Sequence, residues 1–160
     1  MATLPQLIEE DIRRLDDALR DFLARTDATL ALLIDKGGFL LTHQGAAGEL
    51  DLTTIGALAS GAFMASQTIA GLVNEKDFNH TFQQGERFSL FTINVDEHCL
   101  LVVIFPPQSG VGIVKYYSAA TVSRIAQQLA VARDRDPASG LDLSEMNVAD
   151  PQDLFRKKAV

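Results

Sequence analysis

The chain has a single cysteine, Cys99, so no internal disulfide can staple it. It is also short of positive charge: 14 Lys and Arg stand against 21 Asp and Glu, a formal net charge of −7. Such a balance repels phosphate backbones and anionic lipid, which argues against nucleic-acid binding. The amino terminus, MATLPQLIEEDIRRLDD, lacks the basic start and apolar run of a secretory signal, and the expected compartment is the cytoplasm. Paired metal ligands at short spacing are missing too. His98 and Cys99 are neighbours in a strand-like run and point to opposite faces, while His43 and His80 lie far off in sequence. No metal or cofactor is therefore expected, and Cys99 reads as a buried structural thiol. Gly110, Val111 and Gly112 follow an apolar run as a dinucleotide-binding turn would, but Lys115 stands where the third glycine belongs. Those glycines read as a tight strand-to-helix turn. No nucleophile, base and orienting group come together in the sequence, so no catalytic residue is assigned and an enzyme is not expected.

One further absence organises the rest. Residues 52–74, LTTIGALASGAFMASQTIAGLVN, carry no charged side chain. Asp51 is placed to cap a helix there, and Asn74, Glu75 and Lys76 end it. Leu52, Ile55, Ala59, Ala62, Phe63, Ser66, Ile69, Ala70 and Val73 recur at steps of three and four, the spacing of a core-facing stripe. The opposite side offers Thr54, Ala57, Ser60, Gly61, Ala65, Thr68 and Gly71, all small and uncharged, where an ordinary surface helix carries Lys and Glu. Such a wall lets another backbone approach closely. The helix is expected to be covered on both sides, by its own sheet and by a second copy or partner. A membrane span fits the length, but the Thr, Ser and Gln residues dilute it and flanking basic anchors are missing. A monomer whose helix is buried between two layers is the other alternative.

With 160 residues and 47% hydrophobic composition the chain suits one domain with a real core. Leu7 to Arg25 predicts an amphipathic helix with Ile8, Ile12, Leu15, Leu19 and Phe22 inward and an ion-paired outer face. Ala28 to Ile34 and Phe39 to His43 flank a Gly-containing turn and predict a hairpin. His80 to Gln84 predicts an edge strand. Arg87 to Val95 has two apolar faces, and the unbroken run Cys99 to Phe105 predicts a strand covered on both sides. A last helix runs to about Arg133, with Val114, Tyr117, Thr121, Ile125 and Leu129 on one face. The composition then changes, so the domain is expected to span residues 1–134, with 135–160 a mobile tail that presents Leu154 and Phe155 beside Arg156, Lys157 and Lys158.

The hairpin ALLIDKGGFLLTHQG, the helix GALASGAFMASQTIAGL and the block SLFTINVDEHCLLVVIFPPQSGVGIVKYYSAATVSRIA, in that order, resemble the roadblock/light-chain-7 family in its bacterial MglB-like branch. The resemblance covers about Ile8 to Arg133. It implies an α+β fold: a five-stranded antiparallel sheet with the charge-free helix on one face and the other two helices opposite. It further implies a homodimer in which His80–Gln84, through Thr81, Phe82 and Gln83, pairs with its copy while Ala57, Ser60, Gly61, Ala65 and Thr68 meet across the two-fold. The implied role is a non-enzymatic regulator or scaffold that binds a small Ras-like GTPase; no residue here carries over as an arginine finger, so binding is better founded than stimulation of hydrolysis. The tail residues Leu154 and Phe155 are the expected partner contact. The alternative role is a small-molecule-sensing module, in which Gly61 and Ala65 would line a cavity instead of an interface.

Overall fold

A computed structural model describes residues 4–135. The expected tail, including Leu154 and Phe155, lies outside the described residues apart from Arg135. The element order is α1 (Glu9–Arg25), β1 (Leu30–Asp35), β2 (Leu40–Gly45), α2 (Leu52–Leu72), β3 (His80–Gln84), β4 (Ser89–Asn94), β5 (Cys99–Phe105), a 3₁₀ turn (Pro107–Ser109) and α3 (Val111–Asp134). The five strands form one antiparallel sheet in the order β2-β1-β5-β4-β3. α1 and α3 pack on one face and α2 lies alone on the other, as the resemblance implied.

The strand residues sort by the period of two. Ala31, Leu33, Phe91, Ile93, Leu101, Val103 and Phe105 face α1 and α3, where Leu15, Leu19, Phe22, Val114, Ile125 and Leu129 close the core. Leu30, Leu32, Ile34, Leu100, Val102 and Ile104 face α2, which contributes Leu52, Ala59 and Phe63. β1 and β5 are the central strands and are apolar on both faces because both faces are covered. β4 begins at Ser89, two residues later than the apolar pattern suggested, and Phe88 is left half exposed outside it.

Local chemistry fixes the helix ends. Asp51 accepts from the Thr54 N–H at 3.1 Å and also from the Thr54 hydroxyl, so α2 starts where the sequence placed it. At its far end Asn74 takes φ +61, the Glu75 N–H donates to Ala70 O at 2.8 Å and the Asn74 N–H to Gly71 O at 3.3 Å. That is a Schellman stop made with Asn in the left-handed position that glycine usually takes. Gly110, at φ +65, turns the chain from the 3₁₀ segment into α3, a backbone that a side chain would strain.

The buried face of α2 keeps Leu52, Ala59, Phe63 and Ala70 of the expected stripe but is shifted toward Gly56 and Ser60. Its buried residues are Leu52, Gly56, Ala59, Ser60, Phe63 and Ala70, whereas Ala62, Ile69 and Val73, expected inward, are exposed. Gly56 supplies the reason. A Cβ there would sit 3.1 Å from Ile34 Cγ2, so the helix rests its small residues on β1. Close approach at Gly56, Ala59 and Ser60 accompanies the burial of Leu52 and Phe63 on the same face.

Candidate interaction surface

Alongside Leu52 and Phe63 only small residues of α2 are buried, and several large ones face out. Leu58 is 69%, Ile69 51% and Leu72 80% exposed, with Met64 beside them. Leu58, Ala62, Ala65, Ile69 and Leu72 follow one another at helical spacing and make an uncharged stripe on the outer side of α2. The sequence pattern assigned Leu58, Met64 and Leu72 to neither face, although Leu58 and Leu72 lie about four turns apart on one side. By length and composition α2 could also cross a membrane, with 28% of its most apolar window buried in this fold.

The expected contact residues divide. Gly61, Ala65 and Thr68 are exposed on the outer side, and Ala57 is exposed next to the β1–β2 turn, where a Cβ on Gly38 would come within 2.9 Å of its Cα. Ser60 does not belong with them. It is buried, and its hydroxyl donates to Lys36 O at 2.6 Å, pinning α2 to the β1–β2 turn of its own chain. A buried hydroxyl needs such a partner, and the turn carbonyl was the one in reach. Ser60 is therefore a fold residue. A Cβ on Gly61 would meet no atom within 4 Å, so among the described residues Gly61 faces open space.

β3 supplies the second component. It pairs with β4 alone among the described residues, which leaves its outer N–H and C=O groups as an open edge. Phe82, 40% exposed, stacks on Phe105 with ring centroids 6.1 Å apart. Thr81 is half-buried and Gln83 exposed. His80 packs against the Phe91 ring at 5.1 Å, and burial, then the Lys115 charge, depress its pKa. An apolar groove of about 450 Å³, lined by Leu50, Ile55, Gly85, Phe88, Leu90 and Ile104, lies beside Gln83 and Gln84 at the end of this edge.

Elsewhere the charged groups are tied to structure. Asp11 is fully buried and accepts from Arg135 at 2.8 and 2.9 Å, from Gln128 at 2.7 Å and from the Ile8 N–H at 2.9 Å. The Arg135 hydrogen bonds foremost hold its carboxyl down at about 2 against an ordinary 3.8. Cys99 is buried and its thiol is pushed up to about 12, first by burial and then by the Asp96 and Asp35 charges. A thiol so protonated is a poor nucleophile. Among the described residues no three His, Cys, Asp or Glu side chains cluster to hold a metal ion.

Residues 14–105 match the Roadblock/LC7 domain. Among solved structures the chain is similar to an MglB with tetrameric arrangement, at 30% identity and a TM-score of 0.76 over 82% of this chain and 99% of that one. It is similar to the gliding protein MglB from Thermus thermophilus, at 30% identity and a TM-score of 0.75 over 82% and 99% of the two chains. Myxococcus xanthus MglB shares the fold at 23% identity and a TM-score of 0.75, over 81% of this chain and 98% of its own. No curated protein matches the chain.

Proposed function

The chain belongs to the Roadblock/LC7 domain family, and from that membership we propose that it is a non-enzymatic regulator or scaffold that acts in the cytoplasm as a homodimer and binds a small Ras-like GTPase. The observation that carries the dimer is the uncharged outer stripe of α2, with Leu58, Ile69 and Leu72 exposed on the same protein as the open β3 edge. Exposed apolar side chains on this scale mark an interaction surface, and an unpaired strand edge is a hazard that pairing with a second copy removes. Thr81, Phe82 and Gln83 would then pair across a two-fold, and Ala57, Gly61, Ala65 and Thr68 would let the two α2 helices approach closely. The tetrameric arrangement of one MglB relative supports self-association, and the gliding protein from Thermus thermophilus supports a role in motility control. GTPase recognition rests on the family resemblance, with Leu154 and Phe155 as a further partner contact.

Two measurements test this reading. Sedimentation should give a dimer for the native chain and a monomer for Gly61→Lys, which sets an ammonium into the dry contact. An unchanged dimer would move the interface elsewhere. A pull-down from native cytosol with and without a non-hydrolysable GTP analogue should retain a small GTPase in a nucleotide-dependent way. Loss of nucleotide dependence, or retention of no GTPase, removes the regulatory role.

A further inference from the structure

A second cleft lies between α2, the α2–β3 connection and the β4–β5 turn, with a volume of about 540 Å³. Its apolar lining comes from Phe63, Met64 and Phe78, and its charged lining sets the carboxylates of Asp77, Asp96 and Glu97 against the single ammonium of Lys36. The walls are held in place. The Gln67 amide donates to Phe78 O at 2.6 Å and accepts from the Phe78 N–H at 3.1 Å, while Asp96 Oδ1 accepts from the His98 and Cys99 N–H groups at 2.8 and 2.9 Å. A preformed apolar floor beside clustered carboxylates suits a peptide with apolar anchors followed by cations.

The chain carries such a peptide, and it departs from beside this cleft. Arg133, in the last turn of α3, already reaches Asp96 at 3.4 Å and Glu97 at 3.8 Å, which shows that the carboxylates take a cation from this side. Two residues later Arg135 is fixed on Asp11. Beyond it the sequence places Leu154 and Phe155 directly before Arg156, Lys157 and Lys158. The intervening residues 136–153 can span at most about 60 Å, and Arg133, two residues before Arg135, already touches the cleft wall at Asp96.

We propose that this cleft is the docking site of the chain's own Leu154–Lys158 segment, with Leu154 and Phe155 against Phe63, Met64 and Phe78 and the three cations against Asp77, Asp96 and Glu97. Tethering makes the encounter intramolecular, so even weak contacts are populated. A partner that uses Leu154 and Phe155 must first displace them from this cleft. The docking stands or falls independently of the dimer and of the GTPase.

The test uses the full chain. Ala159→Cys takes a nitroxide spin label while buried Cys99 stays unlabelled, and the Met64 methyl resonance is read. Its intensity should be largely lost in the labelled chain, recover in the Lys157→Glu/Lys158→Glu variant, and be lost again when Asp77→Lys is added to that variant. Undiminished Met64 intensity in the first sample overturns the proposal, as does broadening that persists after charge reversal. A mixed sample, with the isotope on one set of chains and the nitroxide on another, should leave Met64 sharp. Equal broadening there would give the cleft to a second copy and overturn docking by the same chain.

Discussion

The two faces of the sheet are finished differently. On one, α1 and α3 turn inward a full set of Leu, Ile, Val and Phe and outward a lattice of ion pairs: Arg13 and Arg14 with Glu10, Arg20 with Asp17, Arg124 with Asp21. On the other, α2 has no charge at all, rests its small residues on the sheet and leaves Leu58, Ile69 and Leu72 outward. Both helical layers cover a core, so coverage alone does not explain the contrast. Exposed ion pairs add little stability, but they keep a surface wet and soluble. The α2 layer omits that provision, and the proposed self-association rests on this contrast.

The comparison breaks most directly in the cores. Phe22→Ala beneath α1 and Phe63→Ala beneath α2 should each cost about 3–5 kcal/mol in denaturant unfolding. A much smaller loss at Phe63 would mean that α2 is held mainly by contacts outside its own chain. Next comes the buried clamp of the charged layer. Because the folded pKa of Asp11 is lowered to about 2 from 3.8, its contribution is complete above the ordinary value and is lost as pH falls through about 4 toward 2. Asp11→Asn should therefore lower stability at pH 7 and flatten the acid limb of the stability curve; an unaltered acid limb would show that the clamp is not formed in solution. Ser60→Ala, which leaves Lys36 O without its hydroxyl donor, should cost about 1–2 kcal/mol and leave the sedimenting mass unchanged. A shift toward monomer would return Ser60 to the interface. Smallest of all, Leu58→Glu should change the unfolding free energy of the isolated protomer by about 0.5 kcal/mol or less while weakening self-association. Both effects are read from one concentration series, and a large loss at infinite dilution would place Leu58 in the protomer's own core.

Much of the frame was legible because it is local. The Asp51 cap, the two-faced apolarity of Cys99–Phe105, the Gly110 turn and the weak edge character of His80–Gln84 are properties of a few consecutive residues, and each reappears in the fold. The contact surface was half legible. Gly61, Ala65 and Thr68, read as outward because they are small and uncharged, are exposed, but Ser60 shares that description and holds a carbonyl 24 positions away. Composition cannot tell a serine that faces a partner from one that faces its own turn. Asp11 escaped notice for a related reason: among the acids of α1 it looks like any solvated carboxylate, and Gln128 and Arg135, which satisfy it, lie more than a hundred residues on.

By itself, then, the sequence determined which segments are helices and strands, where they begin and stop to within about two residues, and that one helix carries no charge, since these follow from composition, from periodicities of 3.6 and 2 and from capping within a turn or two. Tertiary structure alone decided the strand order, the rotation of α2 about its axis and the burial of Asp11. Each of those depends on a close contact between residues distant in the chain, such as Gly56 against Ile34 or Arg135 against Asp11, and a local pattern carries no information about which distant atoms will arrive.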